Sequence, residues 1–138
     1  MKEIPVLLHS VSKHHTMKGL YTILLLIVSN VFMTFAWYGN LKLDEMKITT
    51  DWPLIFIILA SWSVALLEYS FMIPANRIGF VDHGGPFNLM QLKVIQEVVS
   101  LTVFTIIALL VFKGQPLRWN HLVAFFCMVM AVFFVFLK

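Results

Sequence analysis

Four stretches of this chain stay apolar for as long as a helix needs to cross a lipid bilayer, and no other feature restricts the fold so strongly. A hydrocarbon core about 30 Å thick takes roughly 20 predominantly apolar residues per helix. Such spans fall at about 19–39, 53–73, 89–112 and 119–137. The first lies in an uncharged run from Gly19 to Leu41, and the second opens on Pro53, a position that helices tolerate. The connections NLKLDEMKITTDW, PANRIGFVDHGGPFN and KGQPLR carry the Pro, Gly, Asn and Asp of turns. Tyr38, Trp52 and Trp119 mark the membrane boundaries, where aromatic side chains collect. Runs such as LIFIILA and VAFFCMVMAVFFVF do not alternate apolar and polar residues as barrel strands do. Backbone groups in lipid must pair within their own segment, so the runs are helices. The expected fold is all-α: an integral membrane bundle of four transmembrane helices with both termini on the same side.

Composition excludes the alternatives. Of the 138 residues 60% are hydrophobic and 12% charged, against about 25% charged in soluble domains. A soluble chain of this length could not bury that much apolar surface. The single Cys127 forms no intrachain bridge. Despite a formal charge of +3, the Lys and Arg residues sit singly at the ends of apolar blocks. That is the pattern of membrane flanks rather than of a nucleic-acid surface, so the lipid bilayer is the expected partner.

Residues 1–16, MKEIPVLLHSVSKHHT, form a polar tail before the 17–138 membrane domain. Its apolar stretch is too short for a signal-peptide core, and its three histidines have no carboxylate or Cys to complete a metal site. A disordered or surface-lying segment is expected. The side holding the termini carries Lys2, Lys13, Lys18, Arg77, Lys93 and Lys138; the other carries Lys42, Lys47, Lys113 and Arg118. The positive-inside rule then places the termini in the cytoplasm of an inner, plasma-type membrane. Translation starting at Met17 would remove Lys2 and Lys13 and balance the two sides, which would permit insertion both ways.

Glu68 in span two and Glu97 in span three need an explanation, because a carboxylate inside the bilayer is costly unless paired, hydrated or protonated. Lys93, Gln96, Glu97 and Ser100 form a stripe at helical spacing, as do Ser61, Ala65 and Glu68. Span one offers Asn30, Thr34 and Trp37. Facing inward, the three stripes would enclose a small polar interior in which Glu68 and Glu97 bind an ion or solute, Asn30 and Trp37 line the site, and Arg77 and Lys93 tune the charges. The other reading makes the glutamates register-setting ion pairs. Glu97 has Lys93 one turn before it, which marks it as the structural one. Glu68 has no basic neighbour within two turns, which marks it as the proton-coupling one. On span four, Ala124 and Ala131 share a stripe on which a second helix packs closely, giving a homodimer. No nucleophile–base pair, phosphate loop or metal-ligand cluster is present in the sequence, so neither an enzyme nor a cofactor is expected.

SNVFMTFAWYGNLK, ALLEYSFMIPANRIGF, QLKVIQEVVSLTVF and GQPLRWNHLV, in this order, resemble the small bacterial DMT family of domain of unknown function 486. The resemblance runs from Met17 to Leu137. It implies a place in the drug/metabolite transporter superfamily, near the four-helix small multidrug resistance exporters, with spans one to three lining a chamber and span four dimerising. The exporters carry an essential glutamate in helix one, where this chain has Asn30; glycines that kink their helix three are absent here; and Gln115 stands where Glu is usual. The expected function is a small transporter of the drug/metabolite type, with a non-transporting scaffold or accessory subunit as the rival.

Overall fold

A computed structural model describes residues 3–112, 114 and 116–137. Lys2, Lys113 and Lys138 of the charge count and Gln115 of the family comparison lie outside the described residues. Four helices are present: α1 Glu3–Glu45, α2 Leu54–Gly79, α3 Leu89–Val111 and α4 Trp119–Phe136. All four are long and apolar enough to span a membrane.

The helices run up, down, up, down. Antiparallel packing of α1 on α2 joins Thr22 to Gly79 near one end, and Ser29 to Glu68 midway. Helix α3 lies parallel to α1, with Tyr38 tilted against Phe104 at 5.0 Å. Helix α4 returns along α3 until Phe136 meets Phe87 edge-on at 6.1 Å. The membrane-spanning part thus begins and ends at the same end of the bundle. Helix α1 is the central element, with α2 and α3 against it; α4 packs on α3.

The distribution of side chains is inverted relative to a soluble protein. Buried apolar residues are Leu26, Ala36, Ala75, Leu92 and Val103; buried polar ones are Thr22, Ser29, Asn30, Thr34, Thr49 and Glu68. Leu, Ile, Phe and Trp side chains cover the outside. In lipid no hydrophobic force drives helices together, so small and polar residues make the contacts.

Two boundaries differ from the sequence expectation. Residues 3–16 are helical and continue directly into α1, with every side chain exposed. Extending an existing helix avoids the cost of nucleation, and Pro5 falls in the first turn, where its missing N–H is harmless. Helix α2 does not stop at Ile73 but passes through Pro74 to Gly79. The proline deprives one carbonyl of its helical partner without ending the helix, which helices in a membrane bundle accommodate. The segment PANRIG is therefore helix rather than connection.

The two ends of the bundle are built differently. At the end of α1, Lys47 adopts φ 59° while Ile48 N–H donates to the Leu43 carbonyl at 2.9 Å, a helix stop that more often uses glycine. At the other end the connection between α2 and α3 is knitted tightly: Val81 N–H donates to Phe87 O, Phe87 N–H to Gly79 O and Gly85 N–H to Phe80 O, at 2.8–2.9 Å. Asn88 and Gln91 then cap α3 reciprocally at 2.9 and 3.0 Å. Gly85 is buried against the Gly79 and Ile78 backbone, where no side-chain carbon fits. A Cβ on Gly79 would come within 2.7 Å of the Thr22 side chain. Gly85→Ala should therefore destabilise the protein by about 1–3 kcal/mol, read as a lowered thermal midpoint, whereas Gly114→Ala, with open space around it, should change little.

Candidate functional site

Glu68 lies fourteen residues after the start of α2 and eleven before its end. At about 1.5 Å per residue it is roughly 16 Å from the Gly79 end, near the middle of the membrane. The extension of α2 through Pro74 puts it deeper than a helix ending at Ile73 would. Its side chain turns onto α1 and is 2% exposed. Ser29 donates its hydroxyl proton to one carboxylate oxygen at 2.9 Å. The other oxygen, Oε2, is fully buried and has no hydrogen-bond partner among the described residues. A carboxyl group so placed is an open acceptor for a proton, a small cation or a donor from a solute.

The surroundings are built by α1. Ser29 and Asn30 are 0% and 6% exposed, and Thr34 follows one turn later on the same face. The amide of Asn30 bonds to the Leu26 carbonyl at 2.7 Å and the hydroxyl of Thr34 to the Asn30 carbonyl at 2.8 Å. Both side chains thus satisfy themselves on their own helix and present little unmet polarity to the interior. Phe32 of α1 and Phe71 of α2 stack across the same helix pair, centroids 5.6 Å apart and planes 7° from parallel.

A cavity of about 300 Å³ runs from the α1–α2 connection toward this pair. Thr49 and Trp52 line its outer part; Thr34, Ser61 and Val64 line its inner part. Val64 is one turn before Glu68, and Thr34 is one turn after Asn30, so the cavity stops about one helical turn short of the carboxylate. Its walls are mostly apolar. Buried Thr49, 4% exposed, has a hydroxyl oxygen without a partner. Lys42 borders the cavity, bonded to Glu45 at 3.2 Å and 5.8 Å from the centroid of the Phe112 ring.

The remaining residues singled out in the sequence are not brought together here. Glu97 is exposed on the outer face of α3, paired with Lys93 one turn earlier. The α3 stripe splits: Gln96 turns toward α2 and donates to the Met72 sulfur at 3.1 Å, while its charged members face out. With Glu97 exposed and Gln96 bonded to Met72, the three stripes do not enclose one interior. Trp37 is 56% exposed, although it follows buried Asn30 by seven residues on α1. Arg77 makes no ion pair with Glu68; among the described residues the ion pairs are Lys42–Glu45 and Lys93–Glu97. Ala124 and Ala131 are exposed on α4, which buries no residue in the subunit. No group of three or more potential metal ligands occurs among the described residues.

Ser29 was not legible as the partner of Glu68. A signal existed, since Thr22, Ser29 and Asn30 mark one face of an apolar helix at seven- and eight-residue spacing. Nothing in that spacing says which helix the face meets.

Four apolar spans surrounding a buried polar contact define a multi-pass, all-helical membrane protein. Residues 22–136 match the DMT_6 family model (DUF486), of the drug/metabolite transporter superfamily. The chain belongs to that family. Comparison with curated proteins and with solved structures gives no match.

The two glutamates should respond differently to substitution. Ser29→Ala leaves a buried carboxylate without its donor and should cost about 1–3 kcal/mol. Replacing both Lys93 and Glu97 by Leu removes an outward pair and should change stability by less than about 1 kcal/mol. Thermal unfolding in lipid nanodiscs checks both; a larger loss in the double variant would assign the Lys93–Glu97 pair the structural weight that its outward position denies it.

Proposed function

We propose that this protein is half of a transport unit: two copies associate through α4 and move a small solute across the inner, plasma-type membrane, with Glu68 as the proton-coupling group. The observation that carries the reading is the second oxygen of Glu68, buried at mid-membrane with no partner while Ser29 holds the first. A carboxylate kept only to fix helix register would gain by satisfying both oxygens. One left with an unmet acceptor, one turn from a cavity that continues toward the end of the bundle, suits reversible proton or cation binding.

Family membership supports the transport class, and the arrangement of α4 supports the dimer. A single four-helix bundle is too small to surround a chamber with two gates, and transporter sites lie where repeats meet. Helix α4 packs mainly on α3 in the subunit and leaves Ala124 and Ala131 exposed. Asn30 lines the site through its backbone-anchored amide. Glu97, exposed and paired with Lys93, takes no part in the site. On this reading the chain catalyses no covalent chemistry and needs no cofactor.

Proteoliposomes carrying a pH-sensitive dye test the proposal against a panel of small cations and metabolites. Wild-type protein should produce solute-dependent proton flux, and Glu68→Gln should reduce it to the level of empty vesicles while single-molecule counting still finds dimers. Ala131→Leu should shift that count toward monomers. Absence of flux with every solute, together with loss of assembly in Glu68→Gln, would make the protein a scaffold.

A further inference from the structure

Two cationic side chains expected to tune the glutamates converge instead on a separate groove. Arg77 from the last turn of α2, His83 from the connection and Lys93 from the second turn of α3 line a cavity of about 260 Å³, with Asn76 and Gln96 as further polar neighbours. No carboxylate is among its lining residues. The nearby acids are Glu97, engaged with Lys93, and Asp82, exposed on the connection. The groove reaches Leu89, the first residue of α3, so the positive end of that helix adds to the field. The opposing end of α2 is partly neutralised, because the Asn76 and Gly79 carbonyls accept from Phe80 and Phe87 N–H. Lys18 adds another positive charge at this level, 3.4 Å from the carbonyls of His83 and Gly84.

The groove lies where α2 ends and α3 begins, at the membrane–water boundary and at the end of the bundle opposite the Thr49–Trp52 cavity mouth. We propose that it binds a phosphate group, supplied by the phosphodiester headgroup of an anionic phospholipid. The Arg77 guanidinium matches phosphate oxygens through paired N–H bonds, and the Lys93 ammonium, paired with Glu97 here, would add a second contact by sharing its protons with the phosphate. Basic pockets between transmembrane helices hold anionic headgroups in the same manner. The acyl chains would run down the apolar outer surface beside α2 and α3, where Ile73 and Met90 are exposed. The proposal is independent of transport and would hold equally for a scaffold.

Native mass spectrometry of the full chain, equilibrated with mixed phosphatidylglycerol and phosphatidylcholine, measures the binding directly. Wild-type protein should retain phosphatidylglycerol in preference to phosphatidylcholine. Arg77→Gln should lower that retention about fivefold, Arg77→Lys should keep most of it, and Lys42→Gln at the opposite end should leave it unchanged. Equal retention of the two lipids, or equal losses from Arg77→Gln and Lys42→Gln, would overturn the site. Millimolar inorganic phosphate separates the sources. Failure to displace the lipid supports the headgroup; complete displacement retains the phosphate site but overturns its assignment to lipid.

Discussion

The hydrogen bond from Ser29 to Glu68 fixes how the other helices are arranged. In lipid the helices gain nothing from burying leucines against one another, so the register of α1 on α2 follows the few polar groups that must not face hydrocarbon. Glu68 is the most demanding of them, and α1 answers with Ser29 on a face that also carries Thr22, Asn30 and Thr34. Once α1 has turned that face to α2, its neighbouring surface, with Tyr38, is left for α3. Helix α4 then leans mainly on α3. The central place of α1 is a consequence of where its small polar residues lie.

The two ends of the bundle differ in how completely they are tied. At the α2–α3 end, close backbone approach at Gly79 and Gly85, three short backbone bonds and a reciprocal cap leave little slack. At the α1–α2 end the connection is closed by a lysine in a left-handed conformation, a buried threonine lacks a partner, and a cavity enters between the helices. The carboxylate thus lies between a braced end and an open one, with the cavity of the open end stopping about one helical turn short of it. That asymmetry is what an alternating device needs in each of its states, and it accords with a transport unit completed by a second copy.

Membership of the family does not transfer the chemistry of the exporters. Their first-helix glutamate is replaced by Asn30, whose side chain is occupied by its own helix, and the acidic group sits on α2. Helix α3 has no glycine to kink it and runs unbroken from Leu89 to Val111. Any shift of the helices as units would therefore centre on the α1–α2 connection and on Pro74.

Sequence by itself determined the class of protein, the number of spans and the shared side of the termini, because apolar length and the pairing of backbone groups in lipid are local constraints. It also singled out the two carboxylates, since each is conspicuous against an apolar background. Which carboxylate faces inward was not local. Glu68 and Glu97 each belong to a polar stripe at helical spacing, and spacing cannot say which stripe meets another helix. Only the packing of α1 against α2 decided that Glu68 is buried with Ser29 while Glu97 turns outward with Lys93. The ends of helices were equally undecided. Pro74 and the polar tail read as breaks, yet the bundle carries α2 across the first, and an existing helix extends back through the second without a new nucleus. The groove between Arg77 and Lys93 exists only in the fold, where sixteen residues of sequence are bent back so that the two charges share one concavity.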